Sequence, residues 1–199
     1  LNWDLWCGPG PLRSYSSVLS PRGVHNHFPS WRNYMEYGGG MITDWGAHHI
    51  DIAQWGLGVD GSGPIEARPP EAWQQWKSKR GAQLAYKDGA TVTHKNGFGV
   101  HFFGTDGEVK VNRGRFAFTH KGKAIAKFEK RGDGSLGSAL KTAETQFLKD
   151  AKVKLYNSSH HIRDFLSCVE SRKKPITNEI VGGGSAISCH LMNQAYYNG

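Results

Sequence analysis

The sequence is poor in cysteine and has no long apolar run. Its three cysteines, Cys7, Cys168 and Cys189, are odd in number and form no CxxC pair. This pattern argues against a disulfide framework and a zinc ribbon, and it favours a reducing compartment. We therefore expect a cytoplasmic protein, with an exported location as the alternative because the sequence starts at Leu1 rather than Met. A membrane helix needs about 18 or more consecutive apolar residues. Because no run approaches that length, we expect no membrane span.

Sequence motifs for dinucleotides and for zinc hydrolases are also missing. The stretches GGGMIT and GGGSAIS do not match GxGxxG and follow no clear strand, and GSGPIE has proline where a helix should begin. We therefore expect no cofactor-binding residues within these 199 residues. HEXXH is absent as well, and we expect no metal. The alternative left open is a metal site at a histidine cluster, because His25, His27, His48, His49 and Asp44 could supply enough nitrogen and oxygen ligands for zinc.

The charge balance is basic but dispersed. Lysine and arginine number 25 against 17 acidic residues, which gives a formal charge of +8. Such a surplus raises the question of nucleic acid binding. The two densest clusters, HKGKAIAKFEKR and SRKK, lie far apart, the first is interrupted by an acid, and no nucleic-acid motif accompanies them. We therefore expect a basic solvated surface rather than a nucleic acid partner.

The spacing of apolar residues predicts an α+β fold of one domain over 1–199. Residues 1–36 form an aromatic-rich loop, and residues 41–57 a helix that stops at Gly58. From Pro64, short segments rich in β-branched and aromatic residues predict strands, with hairpin turns at Lys87-Asp88-Gly89 and Thr105-Asp106-Gly107. Helices return in SLGSALKTAETQFLKD, in SSHHIRDFLSCVESRKK and in GGGSAISCHLMNQAYYNG. The candidates for the cap of the second are Ser158 or Ser159, with His160 as a capping or packing residue. We expect a largely antiparallel open sheet with helices packed on one face.

The predicted helix over 41–57 carries the strongest candidate site. Asp44 and His48 are four residues apart, so they share a face of the helix, and Asp51 and Trp55 continue that line. Histidine is the usual general base near neutral pH, and a carboxylate one turn earlier can fix its tautomer. The alternative is that these polar residues form an ordinary solvated helix face. Spacing alone does not separate the two interpretations.

The longer stretch YGGGMITDWGAHHIDIAQWGLG resembles the Gfo/Idh/MocA family of oxidoreductases. The matching positions are Gly38, Gly39, Gly40, Asp44, Gly46, His48, Asp51 and Trp55. NWDLWCGPGP is similar to the start of the family's C-terminal domain, and FFGTDGEVKVNRG to a central strand pair of its sheet. HHIRDFLSCVESRKKPIT and SAISCHLMNQAYYNG resemble its closing helices, so the resemblance spans nearly the whole chain in the right order.

The resemblance implies that residues 1–199 are the C-terminal substrate domain, and that the N-terminal Rossmann domain, which binds NAD or NADP, lies outside this chain. The family's lysine, in a Glu-Lys-Pro motif, has no counterpart here. The resemblance implies a sugar, polyol or glycoside substrate, with His48 as general base and Asp44 orienting His48 and binding the substrate. By position, Trp31, Arg32, Tyr34 and His49 are substrate-binding candidates.

Two further expectations and the remaining alternatives complete this interpretation. The isolated chain should lack dehydrogenase activity, since it has no phosphate cradle. A homo-oligomer should form through the sheet, because VHFF and RFAF place apolar residues on both sides of the hairpins and the family resemblance implies the same. Oxidation and redox-assisted glycoside cleavage both remain open as outcomes. The alternative function is a non-catalytic module that binds carbohydrate or assembles through its sheet.

Overall fold

A computed structural model describes residues 1–19, 30–97, 99–151, 156 and 158–199. Within these residues the helices are α1 (Trp3–Cys7), α2 (Trp45–Leu57), α3 (Leu136–Ala143), α4 (His161–Ser171) and α5 (Glu179–Tyr197). The strands are β1 (Glu66–Arg68), β2 (Gln83–Ala85), β3 (Thr91–Thr93), β4 (Val100–Phe103), β5 (Gly107–Asn112), β6 (Arg115–His120) and β7 (Lys123–Phe128). Short 3₁₀ turns cover Ser30–Asn33 and Arg131–Asp133, and a π-helical turn, Glu144–Leu148, follows α3.

The chain folds into two compact units. The first unit comprises residues 1–95 and 179–199, and the second comprises residues 96–178. Each unit contains its own antiparallel sheet, with strand order β1-β2-β3 in the first and β4-β5-β6-β7 in the second. The assignment of residues 1–199 to one functional domain stays a prediction.

The core of the first unit lies between its sheet and α5. Leu84 in the central strand is fully buried, and it belongs to the same cluster as Met192 and Cys189 of α5 and Ile50 of α2. Burying a leucine side chain stabilises a fold by about 2 kcal/mol, so this cluster is a main source of the unit's stability. Helix α5 packs against both α2 and the sheet. It therefore fixes the position of the helix that carries Asp44 and His48.

The second unit is a four-stranded meander with one helix on it. Cross-strand partners Phe102, Val109, Phe118 and Ala126 lie in one row across the sheet, so their side chains share a face. Helix α3 covers part of that face, where Ala139 and Ala143 pack with the phenylalanines of β6 and β7. The opposite face carries polar side chains, including a pair between His101 and Glu108 at 2.9 Å.

The α+β class and the antiparallel pairing are confirmed, although the strands divide between two sheets. The predicted turns at Lys87-Asp88-Gly89 and Thr105-Asp106-Gly107 connect β2 to β3 and β4 to β5. Gly58 ends α2 with φ 70° and ψ 30°, the left-handed conformation that suits glycine at a helix stop. Among the described helices, none combines the length and apolar character that a membrane crossing requires.

Two local predictions differ from the structure. The loop expected over 1–36 contains helix α1 and the 3₁₀ turn Ser30–Asn33, and α1 begins there because the Asn2 side chain accepts from the Leu5 amide at 3.0 Å. The helix expected over 41–57 begins at Trp45, because residues 41–44 form a preceding turn. Of the capping candidates for α4, the structure has His160 and not Ser158 or Ser159: the His160 Nδ1 accepts a hydrogen bond from the Arg163 amide at 3.3 Å. An imidazole nitrogen can therefore accept the bond that a serine hydroxyl accepts at other helix starts.

Candidate active site at the start of helix α2

The glycines before α2 form a tight turn that folds back on residues 32–34. The amides of Gly38 and Gly39 both donate to the Tyr34 carbonyl at 2.9 Å, and the Gly40 amide donates to the Arg32 carbonyl at 2.9 Å. A side chain at Gly38 has no room, because its Cβ would lie 2.6 Å from the Arg32 Cα. The glycines are therefore needed for close approach between the turn and the backbone of Arg32.

Two side chains hold this turn in place. The Thr43 hydroxyl donates to the Gly40 carbonyl at 2.9 Å and also to the Gly38 carbonyl. From α5, the Asn193 amide Nδ2 donates to the Gly39 carbonyl at 2.7 Å. The turn is thus bonded both to the start of α2 and to a distant helix.

Arg32 and Asp44 form a bidentate ion pair. The guanidinium donates from Nε to Oδ2 at 2.6 Å and from Nη2 to Oδ1 at 2.5 Å, with both side chains largely covered. Planar fork geometry of this kind is specific to arginine with a carboxylate. The hydrogen bonds from Arg32 lower the pKa of Asp44, against an opposing effect of burial, and the charges of Arg32 and His48 lower it further. Asp44 is therefore a carboxylate at neutral pH.

The pair explains why Asp44 does not cap its helix. An aspartate at the N-cap position ordinarily accepts from a backbone amide of the first turn. Asp44 occupies that position in α2 but makes no side-chain capping bond. Both of its oxygens accept from Arg32 instead. The carboxylate is thus oriented by a side chain from the preceding 3₁₀ turn.

His48 lies one helical turn beyond Asp44 and is exposed to solvent. Its ring meets the Trp45 ring edge-on, with centroids 6.2 Å apart. The pKa of Asp44 responds to the charge of His48, which places the two groups in one electrostatic environment. An accessible imidazole beside a fixed carboxylate can exchange a proton with a bound hydroxyl group.

The other predicted residues lie in the same part of the chain. Trp31 lies in the 3₁₀ turn that holds Arg32 and Tyr34 follows that turn, and their exposed fractions are 38% and 37%. His49 follows His48 in α2 and is half-buried. The structure therefore places an exposed aromatic pair in the segment that supplies the arginine, while the histidine pair lies on the helix.

Asp51 has a different environment from Asp44 and His48. The Ser185 hydroxyl of α5 donates to Asp51 Oδ1 at 2.7 Å. Its neighbour Gln54, which is buried, donates to Ser185 at 3.2 Å and accepts from Ser188 at 2.8 Å. These four residues form a polar seam between α2 and α5. Asp51, which helical spacing placed in line with Asp44 and His48, thus joins α2 to α5.

Asn193, which bonds the glycine turn of the site, and Gln54, which joins α2 to α5, are buried polar residues that sequence reasoning missed. The signal for both is a polar residue among the apolar residues of a helix. Asn193 follows Met192 in α5, and Gln54 follows Ala53 in α2, and all four are buried. A buried amide needs hydrogen-bond partners. A search for polar residues at apolar positions would therefore have identified them, but not their partners.

Within the described ranges, no group of three histidine, cysteine, aspartate or glutamate side chains could hold a metal ion. His25 and His27, which the zinc alternative invoked, lie outside the described residues. The glycine-rich stretches also fail to fit a dinucleotide. Gly182, Gly183 and Gly184 lie inside α5, and the amides of Gly38, Gly39 and Gly40 already donate to the carbonyls of Tyr34 and Arg32.

Comparisons with known proteins point to one family. The family described as "Oxidoreductase family, C-terminal alpha/beta domain" matches residues 1–198. No curated protein matches the chain. Among solved structures, a "putative oxidoreductase" from Erwinia carotovora atroseptica SCRI1043 is similar, with a TM-score of 0.50 and 14% identity over 85% of this chain. The match covers 51% of that protein, so this chain spans about half its length. At this identity the likeness concerns the fold alone.

Proposed function

The chain belongs to the C-terminal α/β domain of the Gfo/Idh/MocA oxidoreductase family, and from this premise we propose that it is the substrate-binding and catalytic half of a nicotinamide-dependent oxidoreductase. The substrate would be a sugar, polyol or glycoside that reacts at a hydroxyl group. The observation that carries the proposal is the arrangement at the start of α2, where the exposed His48 lies one turn from a carboxylate that Arg32 fixes as an anion.

His48 acts in this proposal as the general base. Its ring is open to solvent, so a substrate hydroxyl can reach a ring nitrogen. The proton of that hydroxyl passes to the imidazole as the carbon centre is oxidised. Asp44 supports this transfer in two ways: it offers a negative charge near the imidazolium that forms, and its oxygens can accept from a neighbouring substrate hydroxyl.

Four residues are proposed to bind the substrate. Trp31 and Tyr34 expose aromatic rings, which suit the apolar face of a sugar ring. Arg32 presents a guanidinium suited to a hydroxyl or carboxylate oxygen, although it is already bonded to Asp44. His49 adds a further imidazole beside His48. In this arrangement the aromatic rings orient the substrate, while the charged groups bind its oxygens.

The nicotinamide cofactor, NAD or NADP, is proposed to be bound mainly outside this chain. The described residues offer no cradle for a pyrophosphate, since the glycines near α2 are used in the turn on Arg32 and those of α5 are helical. We therefore assign no cofactor-binding residue here and derive no step through the cofactor.

The test is a substrate screen on the intact protein. Sugars, polyols and glycosides would be offered with NAD or NADP, and turnover followed by the absorbance of reduced nicotinamide. Against the best substrate, His48→Ala should lower turnover by roughly 10²–10⁴-fold, the usual contribution of a general base. His190→Ala, which removes an exposed histidine from α5, is the matched control and should retain activity. Near-normal turnover of His48→Ala would remove His48 from the mechanism.

A further inference from the structure

Asn193 occupies an unusual position for an amide side chain. It lies in the buried face of α5, between core residues Met192 and Ala195, and only 4% of it is exposed. Burying an amide is costly unless it is hydrogen-bonded. The bond that it makes leaves α5 altogether, because Nδ2 donates to the Gly39 carbonyl at 2.7 Å. A residue 154 positions away in sequence thus receives this donor.

The turn that receives the bond is in direct contact with Arg32. Gly40 donates to the Arg32 carbonyl at 2.9 Å, and Gly38 is pressed against the Arg32 backbone. Any displacement of the glycine turn therefore moves the backbone of Arg32. The guanidinium of Arg32 in turn holds both oxygens of Asp44. Three successive contacts thus connect Asn193 to the carboxylate.

We propose that Asn193 is a positioning residue for the Arg32–Asp44 pair. By holding the Gly39 carbonyl, it fixes the glycine turn, and the turn fixes Arg32 where its fork meets Asp44. The orientation and ionisation of the carboxylate beside His48 then depend on a donor from α5. A role of these three contacts in catalysis rests on the proposed function. The effect of Asn193 on the position of Asp44 does not.

Neighbouring polar residues of α5 provide the contrast. Ser185 and Ser188 are also buried, but their hydroxyls bond to Asp51 and Gln54 in α2. Removing Ser188 therefore weakens the seam between the helices without touching the glycine turn. Thr43 also bonds the turn, so loss of Asn193 should loosen the turn rather than unfold it. Because Asn193 bonds the glycine turn and Ser188 bonds Gln54, a comparison of their variants separates an effect on Asp44 from a general loss of stability.

The direct experiment is a carboxyl ¹³C NMR titration of Asp44 in this chain. Asn193→Leu keeps a similar volume but removes the donor, and Ser188→Ala is the matched control on the same helix. We expect the pKa of Asp44, which Arg32 holds below its usual range, to rise in Asn193→Leu and to stay unchanged in Ser188→Ala. Both variants should lose some thermal stability. An unchanged pKa in folded Asn193→Leu, or equal shifts in the two variants, would overturn the proposal.

A second variant and a second readout complete the test. If Asn193→Leu does not fold, Asn193→Ser takes its place, since the shorter hydroxyl cannot span the distance to the Gly39 carbonyl. In the intact protein, the folded variant should lower kcat by roughly 10- to 100-fold, because small misplacements of catalytic groups have effects of this size. A rise in the pKa of Asp44 in the folded Asn193 variant supports the positioning role. An active His48→Ala protein would contradict only the proposed function.

Discussion

His94 and Tyr196 form a hydrogen-bonded pair in the first unit. The His94 Nδ1 lies 2.8 Å from the Tyr196 hydroxyl, and that hydroxyl accepts from the Ala82 amide at 3.1 Å. The tautomer of His94 sets the direction of their bond: an unprotonated Nδ1 accepts from the Tyr196 hydroxyl, whereas a protonated Nδ1 donates to the remaining lone pair of that hydroxyl. Burial, with a smaller contribution from the charge of Arg80, lowers the pKa of His94 from 6.5 to about 4.

This pair predicts a pH-dependent loss of stability. Unfolded His94 takes up a proton near pH 6.5 but the folded form does so only near pH 4. Its contribution is therefore complete above pH 6.5 and is lost as the pH falls from 6.5 to about 4. With a discount for the partial exposure of the ring, we expect a fall of the order of 1–2 kcal/mol in the free energy of unfolding.

Urea unfolding at a series of pH values between 7.5 and 4.5 measures this loss. His94→Gln is the comparison, because its amide can still accept from Tyr196 but does not titrate. Between pH 6.5 and 5, where few carboxylates titrate, the unfolding free energy of His94→Gln should change less than that of the parent. Equal slopes in the two proteins would show that His94 is not the titrating group.

The glycine turn before α2 makes a prediction at the scale of an element. Gly38→Ala would put a Cβ 2.6 Å from the Arg32 Cα and 2.8 Å from its carbonyl oxygen, and a backbone cannot move aside as a side chain can. We expect a loss of about 1–3 kcal/mol, the usual effect of overpacking. Gly137→Ala in α3 is the control: nothing lies within 4 Å of its added Cβ, so the substitution should stabilise α3 by about 0.5–1 kcal/mol.

Urea denaturation of the two alanine variants gives the comparison. A Gly38→Ala protein as stable as the parent would show that the turn can shift away from Arg32. The same measurement with Asp44 monitored by NMR would report whether the ion pair survives. Gly137 lies in a helix and Gly38 in a turn, so a loss of stability at Gly38 is assigned to the contact with Arg32 when the Asp44 signal changes as well.

Elements that depend on local sequence were the ones that could be predicted. The hairpin turn at Asp88-Gly89 and the helix stop at Gly58 follow from the backbone preferences of single residues, and the structure contains both. Every strand pairs with its neighbour in the chain, and the two sheets are separate because β3 does not pair with β4, which alternation of side chains does not encode. The bond between Asn193 and Gly39 joins residues 154 positions apart, and no local pattern predicts such a contact.

Helix α4 shows the limit of periodicity most clearly. Its apolar residues Ile162, Phe165, Leu166 and Val169 have the spacing of a buried stripe, yet between 44% and 58% of each is exposed. Periodicity predicts that one face is apolar but does not identify what covers that face. At the site, the spacing of Asp44 and His48 was informative, but it could not show that Arg32 takes both carboxylate oxygens.

Charge is unequally divided over the whole molecule. Residues 96–178 contain 16 lysines and arginines against 8 acids, whereas the other unit has 9 of each. The entire surplus of +8 therefore belongs to the unit that lacks Arg32, Asp44 and His48. The candidate site lies in a unit of zero formal charge, so a basic overall composition says little about the substrate that binds there.

We expect the four-stranded sheet to form the interface of a homo-oligomer. Its two faces differ, because alternate residues of β5 point to opposite sides: Val109 lies on the α3 side, and Lys110 on the other. Helix α3 packs on β6 and β7. The remaining part of that face includes Phe102 and Val109, which line an open cavity of about 330 Å³. An incompletely covered apolar sheet face is typical of a surface that binds another protein copy.

We therefore expect a homo-oligomer formed through the α3 side of this sheet, and adjacent residues of β5 provide a matched test. Val109→Lys introduces a charge at the apolar face, and a buried unpaired charge is costly, so the variant should dissociate to monomers. Lys110→Glu changes the charge on the opposite face and should leave the assembly intact. Light scattering over a range of concentrations measures the mass of each. A monomeric parent would refute assembly, and an oligomeric Val109→Lys protein would place the interface on another surface, such as the apolar face of α4.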